Sequence, residues 1–149
     1  MNDTGEQQVR QGGCLCGQVR YRVDGKLRDV INCHCAQCRR THGHFSAYTA
    51  AATGALTLLR EDSLKWFHSS EKAARGFCSG CGASLFWKPA SGEYVAIAAG
   101  TLDPPTGLRT VAHIFCAHAG DYYDIDDRLP AHDEDLEPVP PADRGGNGP

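Results

Sequence analysis

The chain lacks any apolar stretch close to the roughly 20 residues that a membrane-spanning helix requires. Residues 1–11 are polar and hold no apolar core of the kind a secretory signal carries. No run of lysine and arginine exceeds two residues, and the formal net charge is −3, so no basic footprint for nucleic acid is present. These absences lead to the expectation of a cytoplasmic protein with neither a membrane nor a nucleic acid as partner. Nothing in the sequence specifies an oligomeric state. At 149 residues one domain is expected, small enough to gain from metal staples.

What the chain does have is eight cysteines, seven of them in groups. Cys14 and Cys16 form a C-x-C, Cys33, Cys35 and Cys38 a C-x-C-x-x-C, and Cys78 and Cys81 a C-x-x-C, while Cys116 stands alone. In a reducing compartment, clustered thiols read as metal ligands or redox groups rather than as a disulfide framework. A bond between Cys14 and Cys16 would also close a strained small ring. The spacing suggests a closed four-sulfur site and a three-sulfur site with one open position.

Short alternating or apolar runs dominate the rest. Val19, Tyr21 and Val23 alternate with Gln18, Arg20 and Arg22 at the period of a half-buried strand. Further strands are predicted at residues 30–32, 45–52, 56–59, 64–67, 75–77, 83–87, 94–99 and 111–115, separated by turn-forming residues. One short helix is predicted over residues 36–41, stopped by Gly43. The pattern is that of a mainly β domain with little helix. It divides into a short arm at 1–11, a zinc-binding domain at 12–130 and an acidic, Pro/Gly-rich tail at 131–149, the last expected to be disordered.

Glycines flank or interrupt both outer pairs, in Gly12-Gly13-Cys14-Leu15-Cys16-Gly17 and Cys78-Ser79-Gly80-Cys81-Gly82. Such knuckles turn backbone N–H groups toward sulfur, and one ion joining the pairs would close a long loop. Cys14, Cys16, Cys78 and Cys81 are therefore the candidate structural zinc ligands, though four thiolates also accept iron. Cys33, Cys35 and Cys38 would hold a second zinc with a net charge of −1, suited to a soft ligand such as an incoming thiol. Beside them, His42 and His44 are candidate proton carriers in catalysis, and Arg39 and Arg40 are candidates for binding a substrate carboxylate. His34 is read as lying between ligands with its ring in solvent. If Cys116 or a histidine closed the second site, the domain would instead be an interaction module; a third reading is a zinc store or redox sensor, in which oxidation of Cys33, Cys35 or Cys38 releases metal.

Taken together, these segments resemble the glutathione-dependent formaldehyde-activating enzyme family, which includes centromere protein V. The likeness rests on the order of all three cysteine clusters, on Phe77-Cys78-Ser79-Gly80-Cys81-Gly82, on the Ala99-Gly100-Thr101-Leu102-Asp103 turn and on Ala112-His113-Ile114-Phe115. It implies a β-tent of small antiparallel sheets around a structural zinc, with two zinc ions per chain. It assigns Cys14, Cys16, Cys78 and Cys81 to the structural ion and Cys33, Cys35 and Cys38 to the catalytic one. The implied activity is carbon–sulfur lyase chemistry, joining glutathione and formaldehyde to S-hydroxymethylglutathione or the reverse. Cys116 matches no ligand of that family.

Overall fold

Val19, Tyr21 and Val23 are all fully buried, as their alternation requires, and they form the inward face of a strand. The computed structural model describes residues 8–136; most of the expected arm and most of the acidic tail lie outside the described residues. In chain order the strands begin with β1 (Val9–Gly13), β2 (Val19–Asp24) and β3 (Val30–Cys33). The helix α1 (Ala36–His42) follows, then β4 (Ser46–Ala52), β5 (Leu56–Glu61) and β6 (Leu64–Ser70). The remainder comprises β7 (Ala73–Cys78), β8 (Ser84–Pro89), β9 (Tyr94–Ala98) and β10 (Thr110–Ile114).

Two sheets result. One has three strands in the order β1-β2-β5, and the other has seven in the order β10-β3-β4-β9-β8-β7-β6. Between them Val19, Tyr21 and Val23 meet Ala51, Leu85, Phe86, Val95 and Ile97. Each large side chain buried there contributes about 1.5–3 kcal/mol of hydrophobic transfer. Tyr21 sets its ring edge-on to Phe86, with centroids 5.2 Å apart, and its hydroxyl lies 2.7 Å from Thr101 Oγ1. The phenol is thus buried with its polar end satisfied.

The opposite face of the large sheet carries the chemistry. Residues directly opposite on neighbouring strands share a face, so the pairings Phe67–Arg75, Arg75–Trp87, Trp87–Ala96 and Ala96–Ala50 lay one row across five strands. Tyr48, two residues from Ala50 on β4, joins this face, and so do Ser46 and its partner Cys33. Helix α1 sits over it. Cys35 caps the helix N-terminus through Cys38 N–H to its sulfur at 3.3 Å, and Gly43 ends it at φ 80°, its N–H donating to the Arg39 carbonyl.

Three details depart from the sequence reading. Val9, Arg10 and Gln11, placed in the arm, belong to β1, which pairs with β2 along its whole length. Strand β10 runs parallel to β3 rather than antiparallel, because the long connection between them permits a crossover that a hairpin would not. Residues at the start of the expected tail are tied to the domain. Ala131 bridges His113, and Phe115, Cys116 and Ala117 donate backbone N–H groups to Glu134, His132 and Asp133.

Gly12 lets β1 approach Leu102, with which it forms an isolated bridge. A Cβ there would collide with the Thr101 carbonyl oxygen and the Tyr21 hydroxyl, neither free to move. Gly12→Ala is expected to lower the unfolding free energy in urea by about 1–3 kcal/mol. An unchanged midpoint would contradict this close approach.

Candidate functional site

The turn after β1 and the turn after β7 bring Cys14, Cys16, Cys78 and Cys81 together, with their sulfurs all within 4.8 Å of one another. Cys14 to Cys16 and Cys16 to Cys78 are each 3.7 Å. Sulfurs held about 2.3 Å from a tetrahedral zinc would be separated by about 3.8 Å, so this donor set fits such an ion. Backbone N–H groups reach the sulfurs as the glycine-rich turns suggested: Val19 to Cys14 at 3.3 Å, and Gly80 and Cys81 to Cys78 at 3.3 and 3.4 Å. The Ser63 hydroxyl first, with these N–H groups, holds the Cys78 thiol down at about 6.

Cys33 at the end of β3, Cys35 at the helix cap and Cys38 within α1 form a second group, likewise within 4.8 Å. No fourth His, Cys, Asp or Glu among the described residues belongs to it, Cys116 included. Cys116 lies beyond β10, past Phe115 in left-handed backbone, where the 130–134 segment takes its N–H. The three thiols share protons unequally. Hydrogen bonds from Cys33 and Cys38 hold the Cys35 thiol well below its ordinary value, and the same contact pushes Cys33 up. Cys35 is therefore the thiol of the three that most readily gives up its proton, and a divalent cation could displace the others.

Sheet and helix enclose a cleft of about 240 Å³ lined by His42, Tyr48, Phe67, Arg75 and Ser84; the trio's sulfurs are not part of its lining and meet it through Arg75, which contacts Cys38. A second hollow of about 250 Å³, lined by Gln37, Arg40, Ser69 and others, shares Thr41, Phe67 and Arg75 with it. His42 Nε2 is hydrogen-bonded to the Tyr48 hydroxyl at 3.0 Å. Burial, aided by the nearby Arg75 cation, lowers His42 and keeps its ring neutral. Burial pushes the Tyr48 phenol up, against the pull of Arg75. Arg75 itself is 7% exposed and reaches Cys38 Sγ with Nη2 at 3.7 Å.

The other predicted residues diverge. His44 turns away from the cleft toward Phe45, Tyr122 and Tyr123, with Nδ1 2.7 Å from the Tyr122 hydroxyl. Arg39 packs on the same side, close to Gly120, and Arg40 is exposed at the rim of the second hollow. His34 is 1% exposed, which corrects the solvent-facing ring expected from sequence. Its Nε2 meets His113 Nδ1 at 2.9 Å, and its Nδ1 meets the Tyr123 hydroxyl. His113 Nε2 in turn lies 2.9 Å from the Asp127 carboxylate.

An ionised carboxylate only accepts, so His113 carries its proton on Nε2 and accepts at Nδ1. His34 must then donate from Nε2 and accept from Tyr123 at Nδ1. This one-way chain fixes both tautomers. Burial, then the neighbouring imidazoles of His113 and His44, lower His34 to about 4, so it remains a neutral strut between Cys33 and Cys35. The run Ala112-His113-Ile114-Phe115 was visible in sequence, but not its pairing with His34.

Residues 9–118 match the family described as glutathione-dependent formaldehyde-activating enzyme. The chain belongs to this family. Its fold is also that of a crystal structure of a Rhodobacter sphaeroides protein, at a TM-score of 0.56 and 23% identity, covering 67% of this chain and 97% of that one. Both cysteine groups and the cleft's His42, Tyr48 and Arg75 lie within the matched residues. Asp127 and Tyr123, which close the chain of hydrogen bonds behind His34, lie beyond them.

The two clusters should differ in what they support. Cys78→Ser is expected to remove one equivalent of bound zinc and cost several kcal/mol of stability, on the order expected when a structural metal site is opened. Cys35→Ser should remove the other equivalent and leave the thermal transition nearly unchanged. Metal analysis with thermal denaturation checks both; equal destabilisation by the two variants would contradict the division.

Proposed function

We propose that this member of the family is a zinc-dependent carbon–sulfur lyase that forms or breaks a thiol–aldehyde adduct such as S-hydroxymethylglutathione. The observation that carries the reading is the sulfur trio, three ligand atoms with no fourth among the described residues, joined through Arg75 to a cleft that also holds His42 and Tyr48. Zinc bound there would supply a soft acceptor for a substrate thiol and lower that thiol's pKa.

The chain's own residues then have definite tasks. In the synthetic direction a carbon–sulfur bond forms, the carbonyl π bond breaks, and the thiol proton ends on the carbonyl oxygen. Neutral His42, hydrogen-bonded to Tyr48, would carry that proton, and Tyr48 stays protonated through the neutral range. Enclosure between α1 and the sheet orients the two reactants, which matters because the uncatalysed addition is itself feasible. His44 and Arg39 serve the aromatic side of the helix rather than this step.

Cobalt in place of zinc gives a direct test. Glutathione should change the thiolate-to-cobalt absorption of the trio, and its S-methyl form should not. Cys35→Ser should abolish both that response and turnover, and His42→Gln should slow turnover by about a hundredfold with the spectrum retained. A spectrum already characteristic of four thiolates at both sites, indifferent to glutathione, would mean a non-catalytic interaction module.

A further inference from the structure

Arg75 is a cation placed where burial is costly, and most of its bonding capacity is unused. It occupies the middle of β7, flanked on the outer face by Phe67 and Trp87. None of the ion pairs among the described residues includes it. Nη2 donates to Gln37 Oε1 at 3.4 Å and to Cys38 Sγ at 3.7 Å, whereas Nε and Nη1 are buried and have no acceptor. Of the five guanidinium N–H donors, those on Nε and Nη1 are left unpaired. Leaving charged donors desolvated and unpaired is unfavourable unless another group completes the site.

Contact with the sulfur trio accounts for Nη2 alone. The two terminal nitrogens, Nη1 and Nη2, form the planar fork that matches a carboxylate through two parallel hydrogen bonds, and Nη1 has no acceptor while the contacts of Nη2 are long, at 3.4 and 3.7 Å. Arg75 lines both hollows, so its side chain borders space large enough for a small organic anion, which a small rotation of the guanidinium would bring within reach of Nη1. Arg40, exposed on the second hollow, adds a positive charge at its mouth, where it would attract an anion without being desolvated.

We infer that Arg75 is the receptor for a carboxylate on the substrate, so that the cleft selects thiols bearing an acid group over neutral ones. This rests on the thiol-adduct reading for the identity of the substrate, and on Arg75 alone for its charge.

The test uses the full-length zinc-loaded protein and three probes: 3-mercaptopropionate, 3-mercaptopropionamide and 3-(methylthio)propionate. Binding is measured by calorimetry and by NMR shifts, without turnover. Wild type should prefer the mercapto acid over its amide by about tenfold or more, as expected for charge-assisted hydrogen bonds. It should also bind the methylthio acid, which carries the carboxylate but no thiol. Arg75→Met should abolish the preference and lose the methylthio acid, while Arg75→Lys should retain part of both. Equal binding of acid and amide by wild type would overturn the inference, and needs no variant to fold. So would methylthio-acid binding that is absent from wild type or unchanged in Arg75→Met. If the mercapto and methylthio acids bind alike, and both through Arg75, the anion site stands and thiol ligation is what fails.

Discussion

Everything in this fold depends on two glycine-rich turns meeting at sulfur. Cys14 and Cys16 close the β1–β2 end of the small sheet, and Cys78 and Cys81 close the end of β7 in the large one. Their convergence holds the sheets at the distance where Tyr21 reaches Phe86 on one side and Thr101 on the other. With the inner face committed to that core, the outer face of the large sheet is free to carry Tyr48, Trp87 and Arg75 beneath a single helix.

That helix links two kinds of chemistry. Its first turn supplies Cys35 and Cys38, and its last supplies His42 to the cleft and the Gly43 stop. Arg75 joins the two, with Nη2 on Cys38 and its side chain lining the hollow. Once the trio carries thiolate charge, Arg75 beside Cys38 would be attracted to it, since low-dielectric surroundings strengthen such attraction. On the other side, Asp127, His113 and Tyr123 hold His34 rigid, so the backbone between Cys33 and Cys35 is braced from behind.

Local signals were the ones the sequence expressed. The alternation at Val19, Tyr21 and Val23, the glycine stop at Gly43 and the cysteine spacings all act within a few residues, and all match the structure. β1 was hidden because only Gly12 of its five residues is fully covered, leaving no apolar alternation to read. Arg75 was hidden for a different reason: its burial comes from lying opposite Phe67 and Trp87 and beneath α1, a matter of register and not of neighbours in the chain. The burial of His34 likewise depends on β10 returning parallel to β3, a crossover that no local pattern encodes. Arg39 and Arg40 drew attention through proximity to the trio, whereas the helix sends one toward Gly120 and the other to the rim.

The central claim is that the second cysteine group leaves one coordination position for a substrate sulfur. X-ray absorption at the zinc edge counts the sulfurs directly. The account predicts about 3.5 sulfurs per zinc, averaged over the two groups, in the protein alone, rising to about 4 when glutathione is added. A count of about 4 before any thiol is present, unchanged by adding it, would contradict the account.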